Sequence, residues 1–178
     1  AAVKNHRNIL VIGGTGSGKT TLVNAIINEM VICDPMERVF IIEDTGEIQC
    51  AAENFVQYHT SLEVPMTALL KATLRMRPDR ILVGEVRGAE ALDLLDAWNT
   101  GHEGGAATLH ANNAAAGLAR LRSLITRNES APAEIEPLIG EVVHVVVHIA
   151  RTPDGSRRIQ EILEVSGYAN GQYATKTL

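Results

Sequence analysis

The chain has 178 residues, 46% of them apolar and 3% aromatic, a size that suits one α/β domain burying roughly 70% of its unfolded surface. A net charge of −5 argues against a nucleic-acid footprint spread over the surface, and no apolar run approaches the ~20 residues of a membrane helix. Cys33 and Cys50 lack C-x-x-C spacing and read as reduced thiols; with no signal peptide before the first strand, a cytosolic protein is expected.

The first predicted element is the apolar run Asn8-Ile9-Leu10-Val11-Ile12, a strand buried on both faces. Residues 13–20 follow as Gly-Gly-Thr-Gly-Ser-Gly-Lys-Thr, a complete G-x-x-x-x-G-K-T phosphate loop. Thr20 through Val31 then carries Leu22, Val23, Ile26, Ile27 and Met30 at helical spacing. Strand, loop and helix in this order give the motif its chemistry. Its glycines let successive N–H groups turn inward on a polyphosphate, and the helix adds the positive end of its dipole. The candidate binding residues are Gly14, Thr15, Gly16, Ser17, Gly18, Lys19, Thr20 and Thr21. Lys19 can reach the β/γ-phosphates, and the Thr20 hydroxyl can ligate Mg²⁺.

Three more strands run directly into polar chemistry. Arg38–Ile42 leads into Glu43-Asp44-Thr45-Gly46-Glu47, Arg80–Val83 into Gly84-Glu85-Val86-Arg87-Gly88, and Gly105–Leu109 into His110-Ala111-Asn112. Helical patterns at Pro65–Arg75, Ala89–Asn99 and Ala114–Arg127 fill the gaps. Alternation of this kind predicts a mainly parallel sheet with right-handed crossovers. Ligands of such sheets bind at the carboxyl ends of the strands, so the four polar endings are expected on one rim.

Phosphoryl transfer needs charge stabilisation and an aligned nucleophile. Glu85, ending an apolar strand, is the candidate to orient or deprotonate the attacking water and to meet the metal through water. Gly84 stands where many phosphate-loop enzymes carry a metal-binding aspartate, which leaves Thr20, phosphate oxygens and water as the expected Mg²⁺ ligands. Of the acidic cluster, Glu43 is the first choice to hold a metal-bound water or support Glu85, while Asp44 reads equally as a turn residue. Asp79 lies at the wrong end of its strand. His110 is assigned to sensing the γ-phosphate, and His102 to the conformation of its loop. A zinc site at His144 and His148 lacks a third ligand, and an exposed strand face is the simpler expectation there.

After Pro132, a short helix at Ala133–Ile139 precedes the β-branched run Val142–Ile149. Turn sequences at Thr152–Ser156 and Ala169–Gln172 predict hairpins, so Val142–Leu178 is expected to form antiparallel strands on the edge of the sheet. Arg151, Arg157 and Arg158 read as a solvated basic loop.

The segments GGTGSGKTTLVNAI, RVFIIEDTGEIQ and LRMRPDRILVGEVRGAEALDLLDAWNTGHEGGAATLHANNA together resemble the secretion and traffic ATPases, in particular the conjugal-transfer branch of the type IV secretion ATPases. The resemblance runs from Asn8 to about Leu124. In that family the corresponding pieces are the Walker A loop (Gly13–Thr20), the Asp box (Glu43–Glu47), the Walker B segment (Ile81–Glu85) and the His box (Gly101–His110). It implies a RecA-like core and Mg²⁺-dependent ATP hydrolysis. It also implies homo-oligomeric, hexameric rings at the cytoplasmic face of the inner membrane, engaging channel proteins in pilus assembly or in DNA or protein export. The family also carries an N-terminal domain that closes over the nucleotide and contributes arginines. This chain shows none, so a single RecA-like domain over 1–178 with a half-roofed, slow site is expected. Arg75, Arg77, Arg80 and Arg87 fall in the family's arginine-rich stretch; Arg87, nearest Glu85, is the candidate for phosphate contact, with a salt-bridge role an equal reading.

Two other functions compete with a motor. A small-molecule phosphate-loop kinase would need an arginine-rich lid and an acceptor pocket, and a tethering module would bind ATP with little turnover. A GTPase is disfavoured by the absence of an N-K-x-D motif.

Overall fold

A computed structural model describes all residues from Ala1 to Leu178. Eight strands form one sheet: β1 (Ile9–Ile12), β2 (Val39–Glu43), β3 (Phe55–His59), β4 (Arg80–Val83), β5 (Ala106–Leu109), β6 (Val145–Arg151), β7 (Arg157–Ala169) and β8 (Gln172–Thr177). Five helices connect them: α1 (Lys19–Cys33), α2 (Met66–Thr73), α3 (Glu90–Asn99), α4 (Ala114–Ile125) and α5 (Ile135–Val142). The order across the sheet is β3-β2-β4-β5-β1-β6-β7-β8. β3 through β6 are parallel, and β7 and β8 are antiparallel.

Alternate residues of the central strands face opposite layers, as a pleated strand requires. Leu10, Ile12, Ile81, Val83, Ala107, Leu109 and Val146 join a 28-residue cluster with α2–α5. Ile9, Val11, Ile41, Leu82, Ala106, Val145 and Val147 join a 15-residue cluster covered by Val23, Ile27 and Met30 of α1. Those three recur at i, i+4 and i+7, the spacing of one helical face. The mainly parallel α/β architecture with antiparallel C-terminal strands is therefore present.

Two elements differ from the sequence reading. β3 was not anticipated: its side chains are exposed or half-buried, and Phe55-Val-Gln-Tyr-His has no continuous apolar signature. It pairs with β2 as the sheet's edge, Val39 opposite Phe55 and Glu43 opposite His59. β6, expected to open an antiparallel meander, instead runs parallel beside β1, with Ile12 opposite His148. Its apolar run is that of a central strand, and only β7 and β8 form the meander.

Buried polar groups fix the ends opposite the phosphate loop. Asn8 is fully buried: its Oδ1 accepts from the N–H of Gly104 at 2.7 Å and of Gly105 at 3.2 Å, and its Nδ2 donates to the Val142 carbonyl at 2.8 Å. One side chain thus aligns the beginnings of β1, β5 and β6. Arg80, 1% exposed, pairs with Glu37 and donates to the carbonyls of Gly104 and Val3 at 3.0 and 3.2 Å. Asp79 receives the Arg38 N–H at 2.7 Å, a turn role as expected. The His144 Nδ1 accepts the Asn8 N–H at 2.9 Å, and burial, ahead of nearby Arg7, lowers its pKa. His144 precedes β6, and both it and His148 are half-buried. The exposed-face expectation is thereby corrected.

Candidate active site

The carboxyl ends of β1, β2, β4 and β5 open on one cavity of about 530 Å³. Its lining includes Thr15–Thr21 of the phosphate loop, Glu43, Asp44, Glu47, Glu85, Arg87 and His110. Gly14, placed in the binding set from sequence, belongs to the same loop and gives its carbonyl to Lys19. The four strand endings are gathered on one rim.

The loop is shaped by residues only glycine suits. Gly16 and Gly18 have φ of 69° and 98°, a left-handed backbone that costs a side-chain-bearing residue roughly 1–2 kcal/mol. Gly18 is the N-cap of α1, so the helix N-terminus points at the cavity. Lys19 is 9% exposed, and its Nζ donates to the carbonyls of Gly13 and Gly14, each at 3.1 Å. No carboxylate lies within ion-pair reach of it. Burial lowers its pKa, a trend the Glu85 charge opposes. Ser17 is 3% exposed, yet its Oγ has no partner. A buried ammonium without a counter-ion and an orphaned hydroxyl beside open glycines fit an anionic, oxygen-rich group such as a triphosphate.

Charged groups run in a chain away from Lys19. Its Nζ is 3.4 Å from His110 Nε2, which is 3.2 Å from Glu85 Oε1. Glu85 Oε2 accepts from Arg87 Nη2 at 2.8 Å, and Arg87 Nη1 reaches Asp44 Oδ2 at 3.1 Å. The Arg87 hydrogen bond holds the Glu85 carboxyl below the usual range against the opposing effect of burial; the Arg87, His110 and Lys19 charges also lower it. Asp44 is thus an ion-pair partner of Arg87, and its Oδ1 accepts from Thr60 at 2.6 Å.

Glu43 is 2% exposed and braces the acidic loop. Its Oε2 accepts the N–H groups of Glu47 and Ile48 at 2.8 and 3.2 Å, and Gln57 of β3 bonds its other oxygen. Glu47 is the carboxylate that meets Thr20, the expected Mg²⁺ ligand: its Oε2 accepts from Thr20 Oγ1 at 3.2 Å. Gly84 also gains a reason. A Cβ there would meet the Glu43 Cβ at 2.6 Å, so the aspartate seen in other phosphate-loop enzymes has no room. Thr20 with Glu47 nearby suits Mg²⁺, whose remaining ligands would be water and phosphate oxygens.

Arg75 and Arg77 are exposed on and after a short 3-10 turn, and Arg80 is buried at the far end of β4. Of the four arginines in that stretch only Arg87 lines the cavity. His102 lies outside it, half-buried with Nδ1 unpartnered. Thr108, which carries no sequence signal, lines the cavity, and so does Arg157, which corrects its reading as part of a solvated basic loop. Thr108 Oγ1 donates to the Gly84 carbonyl at 2.6 Å, tying β5 to the Glu85 turn.

Residues 1–172 match the sequence profile of the family described as type II/IV secretion system protein. The chain belongs to that family. It is 52% identical over 176 residues to conjugal transfer protein TrbB of Rhizobium radiobacter, an overlap of 99% of this chain and 54% of that protein. Against type IV secretion system protein PtlH of Bordetella pertussis, identity is 41% over 170 residues, covering 88% and 49%. The VirB11 ATPase of the Brucella suis type IV secretion system, solved with sulphate, superposes with a TM-score of 0.84 at 37% identity, covering 90% of this chain and 49% of that one. The pilus retraction motor PilT with bound ADP gives 0.67 at 25% identity, covering 90% and 48%. This is a TrbB-like member of the secretion ATPase family, and it spans about half the length of the curated relatives it matches. No helix is long and apolar enough to cross a membrane.

Proposed function

We propose that this chain is the hydrolytic unit of a secretion motor, splitting ATP to ADP and phosphate. The observation that carries the reading is the gathering of Lys19, Thr20, Glu85, Arg87 and His110 around one cavity at the phosphate loop. The loop N–H groups and Lys19 bind the phosphates, with Lys19 exchanging the Gly13 and Gly14 carbonyls for phosphate oxygens. When bound at Thr20, Mg²⁺ neutralises charge on the β- and γ-phosphates. Glu85 accepts a hydrogen bond from the attacking water and aligns it. Arg87 and His110 face the γ-phosphate, and Glu43 holds the acidic loop that brings Glu47 to Thr20.

The intact protein, on this reading, forms hexameric rings at the cytoplasmic side of the inner membrane. Hydrolysis shifts subunits against one another and powers pilus assembly or export through a type IV secretion system, with channel proteins rather than nucleic acid as direct partners. The relatives' names support the setting: conjugal transfer and type IV secretion.

Phosphate release by wild type, Lys19→Ala and Glu85→Gln tests this. Lys19→Ala is expected to lose ATP binding, and Glu85→Gln to keep binding while turnover falls roughly 10²–10³-fold. Unchanged turnover in both variants overturns the assignment. Tight binding without turnover by the intact protein favours a tether, and a stable monomer with non-hydrolysable ATP removes the ring.

A further inference from the structure

Arg157 is the first residue of β7, just past the turn that ends β6 and 141 positions from the glycine its side chain touches. Its Nε donates to the Gly16 carbonyl at 3.0 Å. Its Cδ occupies the space beside Gly18, where a Cβ would sit 2.8 Å away. Ile149 of the same hairpin adds two contacts. Its carbonyl fills the place of a Cβ on Gly13, and its Cδ1 would lie 3.5 Å from one on Gly18. The β6–β7 hairpin therefore forms a wall of the phosphate loop, and Arg157 is the charged group on that wall.

Charge distribution separates this arginine from its neighbours. The cavity is bordered by the carboxylates Glu43, Asp44, Glu47 and Glu85 and by the cations Lys19, Arg87 and Arg157. Arg87 is neutralised by Asp44 and Glu85. Lys19 and Arg157 have no carboxylate within ion-pair distance, and each donates to carbonyls of the loop. Arg158, one residue on, pairs with Asp154 at 3.4 Å. In a cavity bordered by more carboxylates than cations, each free cation favours a triphosphate. A guanidinium anchored through Nε still presents Nη groups in the planar fork that suits phosphate oxygens.

We infer that Arg157 is a phosphate-binding residue of the nucleotide site, supplied by the C-terminal hairpin of the same chain. Nε holds the crest of the loop while the Nη groups meet phosphate oxygens. This rests on the reading of the cavity as a nucleotide site.

Calorimetric titration of the full-length protein with ATP, ADP and inorganic tripolyphosphate, each with Mg²⁺, tests it without reference to turnover. Arg157→Ala is expected to weaken ATP and tripolyphosphate alike by about ten- to a hundredfold, the loss of one charge-assisted hydrogen-bonding group. Arg157→Lys restores part of the affinity, since charge returns without the fork, and Arg158→Ala binds as wild type. Should Arg157→Ala fold poorly, Arg157→Gln takes its place. Wild-type affinity for tripolyphosphate in both neutral variants overturns the inference, including the case where only nucleotide binding weakens, which would assign Arg157 to the nucleoside. If Lys19→Ala abolishes binding while the Arg157 variants bind normally, this inference alone fails. If wild type binds none of the three ligands, the nucleotide reading fails with it.

Discussion

Gly84 offers a direct test of how packing has shaped the proposed metal site. A Cβ at this position meets Glu43 Cβ at 2.6 Å and Glu43 Cα at 3.4 Å, and neither atom is the free end of a flexible side chain. Glu43 cannot step aside, because its carboxylate is bonded by the N–H groups of Glu47 and Ile48 and by Gln57. Gly84→Ala therefore forces β2 and β4 apart, at a cost of about 1–3 kcal/mol for overpacking. In a chain of this size that lowers Tm by roughly 2–4 °C per kcal/mol. Gly84→Asp adds a carboxylate beside Glu43 and Glu85, and is expected to be the less stable of the two. It restores the aspartate found in other phosphate-loop enzymes yet is expected to impair Mg²⁺-nucleotide binding, because the acidic loop that holds Glu47 against Thr20 is displaced. Urea denaturation measures the first effect, and nucleotide titration at several Mg²⁺ concentrations the second. A Gly84→Ala protein within 0.5 kcal/mol of wild type, the ordinary range for a neutral surface change, refutes the steric argument. Tighter Mg²⁺ binding by Gly84→Asp refutes the account of Glu43 as a fixed brace.

Glu37→Gln leaves Arg80 buried without its counter-ion and is expected to cost about 3–5 kcal/mol in urea denaturation. Nucleotide affinity of the folded fraction is expected to stay unchanged, since the pair sits at the opposite end of β4. Tyr173 has a buried hydroxyl with no partner, and burial is the first cause of its pKa rising to about 12. Ultraviolet titration of the native protein should show one of its three tyrosines ionising near 12. The stability tied to the neutral phenol is intact below its ordinary value near 10 and is lost as pH rises through about 12. Tyr173→Phe removes the orphaned hydroxyl and should be at least as stable as wild type, and a loss above 1 kcal/mol contradicts the missing partner. His144 accepts from Asn8 and has a lowered pKa. Its contribution is present above the unfolded value of 6.5 and is lost as pH falls through the lower folded one. A His144 imidazole resonance titrating at or above 6.5 would contradict that.

What could be read from sequence follows from how each signal is encoded. β1, β2, β4 and β5 are continuous apolar runs because both faces are covered, and such runs are visible without any partner. Their polar endings reach one rim because parallel strands present their carboxyl ends together. β3 escaped notice because an edge strand half in solvent has neither a long apolar run nor strict alternation. β6 misled in the other direction. Its β-branched run and following turn are equally those of a meander and of a central parallel strand, and only pairing with β1 separates the two. That error also concealed Arg157. Once β6 is parallel to β1, the Thr152–Ser156 turn becomes a further polar strand ending at the same rim, and an arginine there belongs with the site. Glu47 was grouped with the acidic cluster but ranked below Glu43. Strand-end position marked Glu43, whereas the loop's turn carries Glu47 to Thr20.

The cations of the cavity differ in how readily they can change partners. Arg87 is exposed, its ion-pair side chain 59% accessible, and exposed pairs of this kind are worth only about 0–1 kcal/mol. Exchanging Asp44 or Glu85 for a phosphate oxygen therefore costs little and returns another charge-assisted bond. Lys19, buried against two neutral loop carbonyls, has no ion pair to give up. Arg87 is thus the cation whose ion pairs change. Movement of Arg87 is also felt beyond the cavity, since its own carbonyl accepts from Arg127 after α4 at 3.3 Å and its N–H is bonded by Glu90 of α3 at 2.7 Å. Glu85 is freed by the same exchange. Arg87 occupies Glu85 Oε2, and His110 lies 3.2 Å from Oε1; on the proposed reading, turning Arg87 to phosphate returns Oε2 to a water.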